Sequence, residues 1–352
     1  MIKKNNFDKN IIFDSLKIKD VIQILQKLPY KFCLVINNNK QFIGTVTDGD
    51  IRRGLLKDYN LKDKVEKIYN KKAFYTKKKI SQIQVDNLLN IKQIAFFPLL
   101  DKQNRIKKVY LSSEHKEVEV LDNYLLIMAG GKGKRLRPFT KKIPKPLLPV
   151  DGKPIIEKII TSAKKQGIIN VIVSINYLAN KIKNYLSDGS HLGVKIDYIR
   201  ENKPLGTAGS IFYFKQFKKP LIVSNADIIS NINYSEMLKY HKRYNSYITI
   251  GAISNYEKSD YGNIFFKNNK VIKIEEKKEK KVFINAGIYI LSPKVKDFFI
   301  KKEYCDMTDL IHDGIKRKKK IVIFPFHENW FDLGLKEKYL KHKKKKYAQF
   351  KK

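Results

Sequence analysis

Leu125-Leu126-Ile127-Met128-Ala129-Gly130-Gly131-Lys132-Gly133-Lys134-Arg135-Leu136-Arg137-Pro138 is the stretch that decides the fold. A short continuous apolar run leads directly into a glycine-rich turn carrying basic side chains. The apolar part reads as a strand covered on both faces. Gly130, Gly131 and Gly133 let the backbone adopt positive φ and bring its N–H groups against an anion, and the lysines and arginines add charge. By itself this is a phosphate loop of unassigned kind. No Gly-Lys-Ser/Thr follows as a Walker A loop requires, and the spacing does not fit G-x-G-x-x-G.

Downstream, Val171-Ile172-Val173, Lys195 to Ile199 and Leu221-Ile222-Val223 read as further strands of a covered sheet. Helical patterns fall between them at Pro154 to Gln166, Leu178 to Leu186 and Thr207 to Phe214. Apolar strands alternating with helices predict an α/β domain with a doubly wound, mainly parallel sheet. Ligands of such sheets sit at the carboxyl ends of the strands. Upstream, shorter strands and helices without a glycine-rich loop predict a smaller α+β domain. The charged stretch Ser112 to Glu119 suits a linker. The expected organisation is a first domain over 1–118, a linker at 119–123, the larger domain over 124–345 and a basic tail at 346–352.

Composition narrows the function classes. The formal net charge is +39. The basic residues are overwhelmingly lysine and are spread over helices, turns and tail alike, as an AT-rich coding bias would produce. A nucleic-acid site would instead concentrate arginine and aromatics on one face. Neither a nucleic-acid nor a membrane partner is expected. The charge still favours anionic substrates such as phosphates. The two cysteines, Cys33 and Cys305, form neither a metal spacing nor a disulfide framework and read as free thiols. Apolar runs fall well short of the roughly 20 residues of a spanning helix, and no secretory signal is visible, so a soluble cytoplasmic protein is expected.

The segment after the loop, Ile143-Pro144-Lys145-Pro146-Leu147-Leu148-Pro149-Val150, extends the pattern. Together the two segments resemble the signature of the sugar-phosphate nucleotidyltransferase family, A-G-G-x-G-x-R-L-x-P-x-T followed by P-K-P-L-L-P-V. The resemblance runs over residues 124 to 345 with further motifs in order. Glu201-Asn202-Lys203-Pro204-Leu205-Gly206-Thr207-Ala208-Gly209 is similar to the nucleobase segment. Asn225-Ala226-Asp227 is similar to the metal-binding N-G-D, with Ala226 in place of glycine. Glu275-Glu276-Lys277 is similar to E-E-K-P, and Asn285-Ala286-Gly287 to the second sugar-contacting strand. Trp330-Phe331-Asp332-Leu333-Gly334 is similar to W-x-D-x-G.

The resemblance implies transfer of a nucleoside monophosphate from a nucleoside triphosphate to a sugar-1-phosphate, with release of pyrophosphate. The nucleophile is a phosphate already ionised at neutral pH, so no general base is needed. None of the six histidines falls in a motif. What the reaction needs is neutralisation where two anions meet. By resemblance, Arg135, Lys145 and Asp227 are the catalytic residues. Ala129, Gly130, Gly131, Gly133, Glu201, Gly206 and Thr207 hold the nucleotide. Glu276, Lys277, Asn285 and Gly287 hold the sugar, and Asp227 and Asp332 hold Mg²⁺, a hard cation that prefers oxygen ligands. Glu201 favours GTP, because a carboxylate accepts from the adjacent N1–H and N2 amino donors of guanine, whereas uracil and thymine suit an amide better. Resemblance to bacterial guanylyltransferases linked to CBS domains suggests glucosamine-1-phosphate on a legionaminic-type or flagellin glycan pathway. Mannose- and heptose-1-phosphate, and uridylyl or thymidylyl transfer, stay open.

Residues 14 to about 113 resemble a tandem pair of CBS repeats. Thr47 and Asp50 match the G-x-x-T-x-x-D positions that hold a nucleotide's ribose and phosphate, and the second repeat is degenerate. An adenine nucleotide is the expected ligand. A module that only dimerises the enzyme is an equal alternative, and a homo-oligomer is expected on either reading. Ala226, and Leu335-Lys336 where the family pattern has Thr-Pro, leave open a catalytically weak nucleotide sensor.

Overall fold

A computed structural model describes residues 7–57, 59–111, 120–214, 218–258, 262–276, 279–297 and 304–341. The chain divides into two compact units, Met1–Glu117 and Val118–Lys352.

The larger unit is organised by the Leu121–Met128 strand. Leu125 and Ile127 enter one apolar cluster with the Ile155–Lys164 helix. Leu126, between them, enters another, with Leu310 and Ile311 of the Met307–Lys316 helix. All three strand residues are fully buried. Helices cover both faces of the sheet, which is why the run is continuously apolar and does not alternate. The sheet has seven strands in the order Lys195–Arg200, Ile168–Ile175, Leu121–Met128, Leu221–Asn225, Glu279–Leu291, Ile248–Lys258, Ile321–Phe326. The first four run parallel. Glu279–Leu291 is antiparallel to both its neighbours, and Ile321–Phe326 is parallel to Ile248–Lys258.

The expected strands therefore lie in one mainly parallel sheet. Two expectations are corrected. Residues 121–123, read as linker, belong to the strand, since the Leu121 N–H donates to the Gly167 carbonyl at 2.8 Å. The Thr207 to Phe214 helix is only a four-residue helix, Gly206–Gly209, followed by a 3₁₀ turn over Ser210–Tyr213. Glycine at both ends of so short a run weakens helix propagation. The basic tail at 346–352 lies outside the described residues.

Strand order reverses on either side of Leu121–Met128, which continues to Ile168–Ile175 on one flank and later meets Leu221–Asn225 on the other. Met128 stands level with Ser174 and Asn225 in the pairing register. The segments that follow those residues leave the same edge of the sheet, at the switch point where such sheets bind ligands.

In the smaller unit, Ile11–Phe13, Phe32–Ile36 and Phe42–Thr47 form a sheet, the first pair parallel and the second antiparallel. The Ile18–Lys27 helix buries Ile18, Val21, Ile22 and Leu25, the stripe expected of a 3.6-residue period. The Asp48–Leu56 helix starts at Thr47 with a capping box closed by Asp50. A second set, the Gln82–Lys92 helix and the Phe96–Leu100/Ile106–Leu111 hairpin, joins the first through stacked Phe32 and Phe96 rings, 3.7 Å between centroids. Ser112 to Glu114, expected from the resemblance to end a second CBS repeat, lie outside the described residues. No helix among the described residues is long and apolar enough to cross a membrane.

Candidate active site

The glycine-rich loop is positioned by its neighbours at the sheet edge. The Ala129 N–H donates to the Ser174 carbonyl at 2.9 Å. Gly133 takes φ +58°, and a Cβ there would stand 3.0 Å from Thr140 Cγ2 and 3.2 Å from Lys145 Cβ. Thr140 Oγ1 donates to the Gly133 carbonyl at 2.8 Å, locking the turn. Beyond it, the Lys134–Leu136 turn leaves Arg135 exposed at the loop's edge while Leu136 is buried as its anchor.

Lys145, Asp227 and Asp332 come together although 187 residues separate the first from the last. Lys145 Nζ pairs with Asp227 Oδ2, both side chains largely buried. Asp332 is delivered by a two-strand pairing of Trp330–Asp332 with Ile228–Ser230, in which Asp332 faces Ile228. The Leu333 N–H donates to the Asp227 carbonyl at 3.0 Å, and Trp330 Nε1–H to the Ala286 carbonyl at 2.9 Å. Gly334 marks the meeting point. A Cβ on it would lie 2.8 Å from Asp332 Oδ1, 3.1 Å from Asp227 Oδ2 and 3.3 Å from Lys145 Nζ. Burial alone would raise the Asp332 carboxyl. The Gly334 N–H and the Lys338 and Lys145 ammonium groups outweigh it and hold that carboxyl below the usual carboxylate range. Ala226, in the place of the usual glycine, is buried in the core, and Asp227 still reaches the cluster.

Glu201 is a buried carboxylate against the loop. Its Oε1 accepts from the Ser174 hydroxyl at 2.5 Å, and its Oε2 from the Leu205 N–H at 3.3 Å. Asn176 Nδ2 donates to its carbonyl at 2.7 Å. The carboxylate lies so close to the loop that a Cβ on Gly130 would stand 2.7 Å from Oε2. Gly130 is glycine because Glu201 needs the space. Ser174 escaped the sequence reading, although a lone hydroxyl at the carboxyl end of an apolar strand was its signal.

Among the expected sugar residues, Gly287 takes φ +70° and would bring a Cβ within 2.8 Å of Asn225 Nδ2, next to Asp227. Asn285 is exposed on the same strand, its Oδ1 accepting from the Gly287 N–H at 3.0 Å. Glu276 stands exposed beside Gly262 and is not one of the groups converging on Gly334. Lys277 lies outside the described residues. Lys338, which no motif indicated, reaches Asp332 Oδ2 at 3.2 Å.

The family described as Nucleotidyl transferase matches residues 124–349. The chain belongs to the nucleotidyl transferase family. It is 34% identical over 217 residues to the D-glycero-alpha-D-manno-heptose 1-phosphate guanylyltransferase of Campylobacter jejuni, covering 61% of this chain and 96% of that one. It is 39% identical over 183 residues to the probable mannose-1-phosphate guanylyltransferase 1 of rice, covering 49% of this chain and 50% of that one. This chain thus spans about half the length of the rice relative. The crystal structure of HddC from Yersinia pseudotuberculosis superposes with a TM-score of 0.50 at 27% identity, covering 63% of this chain and 99% of that one. The family match lies in the larger unit.

Proposed function

We propose that this transferase moves GMP from GTP to a sugar-1-phosphate, forming a GDP-sugar and pyrophosphate. The observation that carries the reading is the convergence of Lys145, Asp227 and Asp332 beside a glycine-rich loop at the switch point of the sheet. In the reaction a sugar-phosphate oxygen forms a bond to the α-phosphorus. The bond from that phosphorus to the bridging oxygen breaks, and pyrophosphate leaves with the electron pair. Lys145 bridges the α-phosphate and the incoming phosphate, and Arg135 braces the leaving pyrophosphate, both by fixed charge. No side chain has to take a proton.

Two converging carboxylates fit Mg²⁺, which is commonly held by one or two carboxylates with substrate phosphates and water completing the shell. Asp227 and Asp332 would hold it, and when bound it would supply charge neutralisation between the phosphates.

The guanine preference rests on Glu201. Each carboxylate oxygen accepts one internal hydrogen bond and keeps a second lone pair for a base edge. The relatives' names, guanylyltransferases of mannose- and heptose-1-phosphate, support the same base. Glucosamine-1-phosphate is the acceptor that the resemblance to CBS-linked guanylyltransferases suggests, with mannose- and heptose-1-phosphate the acceptors those names suggest. Pyrophosphate release with each of the three, with and without Mg²⁺, tests the reading. Release that needs GTP, Mg²⁺ and one sugar phosphate supports it, and no release with any acceptor overturns it.

For the smaller unit we propose a pair of CBS repeats with an adenine-nucleotide site at Thr47 and Asp50. The strand–helix–strand–strand–helix order of its first half is consistent with that reading. Asp50 is buried, accepting from the Thr47 N–H at 2.8 Å and pairing with Arg53 Nη2 at 2.5 Å, so its carboxylate is fixed at the start of the helix. Calorimetry with AMP and ATP on the full chain and on Thr47→Val with Asp50→Ala decides it. Binding lost in the variant supports the site, equal affinity shows that the site is wrongly placed, and no binding in either protein leaves a module that only dimerises.

A further inference from the structure

The turn Leu205–Ala208, which follows Glu201, is clamped by a segment 99 residues further along the chain. The Cys305 N–H donates to the Leu205 carbonyl, and the Ala208 N–H donates back to the Cys305 carbonyl, each at 2.9 Å. Gly206, at φ +79°, has no room for a side chain, since a Cβ would lie 2.4 Å from the Cys305 carbonyl oxygen. The strongest ties converge on Asp306. Its Oδ1 accepts from the Thr207 N–H at 3.0 Å and the Thr207 hydroxyl at 3.1 Å, and its Oδ2 accepts from the Tyr304 hydroxyl at 2.9 Å. The Thr207 oxygen in turn accepts from the Met307 N–H at 2.8 Å. Asp306 also begins the Met307–Lys316 helix through a reciprocal capping box with Asp309.

Thr207 has spent its backbone donor, its hydroxyl proton and an oxygen lone pair on this clamp. It is an anchor of the turn, where the motif resemblance implied a nucleotide contact. Leu205 passes the constraint on: its carbonyl is held by Cys305 and its N–H is given to Glu201 Oε2. A carboxylate that selects a base by donor matching must be held within fractions of an ångström.

We propose that Asp306 is a positioning residue for nucleotide selection, fixing the Leu205–Ala208 turn and through it the Glu201 carboxylate. The inference rests on the reading of Glu201 as the base-contacting group. Loss of a charge-assisted pair of hydrogen bonds should raise KM for GTP about tenfold. The test is steady-state kinetics of the full chain, wild type against Asp306→Ala, with GTP and UTP and a fixed sugar-1-phosphate. The expected result is a higher KM for GTP and a narrowed GTP-to-UTP ratio, with kcat and the sugar-phosphate KM within about twofold. Asp306→Asn, which keeps an acceptor for Thr207, should restore most of the affinity. If Asp306→Ala does not fold, Tyr304→Phe removes the hydroxyl that holds Asp306 Oδ2 and carries the test in the same direction. A uniform fall in kcat at unchanged KM and unchanged ratio, or no change at all, overturns the proposal. A wild type without GTP preference would overturn the base assignment instead, leaving the nucleotide KM of the variants to decide the role of Asp306.

Discussion

Glu201→Gln is the substitution that separates base reading from folding. Glutamine is isosteric, and the site can accept it in one orientation. Its oxygen would take the Leu205 N–H, now 3.3 Å from Glu201 Oε2, and its amide would donate to the Ser174 oxygen, now 2.5 Å from Oε1, with the hydroxyl turned to accept. The flipped amide would set two donors against each other at Leu205. Internal hydrogen bonding is thus nearly conserved, and the fold should survive with little change in Tm. Toward a ligand the change is larger. The amide N–H would point where guanine presents its own donors, whereas uracil and thymine offer an acceptor there. A buried mismatch of this kind costs about 1–3 kcal/mol, roughly a ten- to hundredfold drop in kcat/KM for GTP relative to UTP. The assay is kcat/KM for GTP, UTP, dTTP, CTP and ATP at one sugar-phosphate concentration, for both proteins. An unchanged order of preference in the variant would refute the reasoning and remove Glu201 from the base site.

Other substitutions test other parts of the site. Asp227→Asn keeps the shape but removes a charge from the Lys145–Asp227–Asp332 cluster; kcat should fall by about a hundredfold or more with Tm nearly unchanged, and near-wild-type turnover in Mg²⁺ would remove the metal assignment. Gly130→Ala would place a methyl group 2.7 Å from Glu201 Oε2 and so displace the carboxylate; KM for GTP should rise while circular dichroism stays native, and an unchanged KM would show that the contact is dispensable. The pH dependence of stability should carry the mark of His241. This residue is buried with Nδ1 2.8 Å from Thr249 Oγ1, and burial pushes its imidazole down to about 4 from 6.5. Between those values the unfolded chain binds the extra proton, so the stability due to neutral His241 is complete above about pH 6.5 and lost as pH falls toward 4. Melting curves across that window should slope less steeply for His241→Gln, and equal slopes would show that His241 is not responsible.

The parts of this molecule that were legible in sequence are those written in adjacent residues. Leu125-Leu126-Ile127 announced a strand covered on both sides because each residue is buried, on alternating faces. The glycine-rich loop carried its own signature, with Gly130 empty of a side chain for Glu201 and Gly133 at positive φ. Asp227 and Asp332 were found because each sits in a short ordered motif, although only the pairing of Trp330–Asp332 with Ile228–Ser230 explains how they meet. The clamp between Leu205–Ala208 and Tyr304–Met307 was invisible. It consists of two backbone hydrogen bonds and three through the Thr207 and Asp306 side chains, across 97 to 100 residues, which leave no periodicity in the sequence. Residues 121–123 were misplaced for a related reason. Leu121-Asp122-Asn123 is polar enough to read as linker, and its strand identity comes from pairing with Ile168 and the Gly167 carbonyl.

The most direct measurement is a competition. The full chain is incubated with Mg²⁺, equal concentrations of GTP, UTP, dTTP, CTP and ATP, and a mixture of glucosamine-, mannose- and heptose-1-phosphate, and the nucleotide-sugar products are identified by mass. The account predicts a GDP-sugar as the dominant product, lost in Asp227→Asn. A UDP- or dTDP-sugar as the dominant product, or no nucleotide-sugar at all, would contradict it.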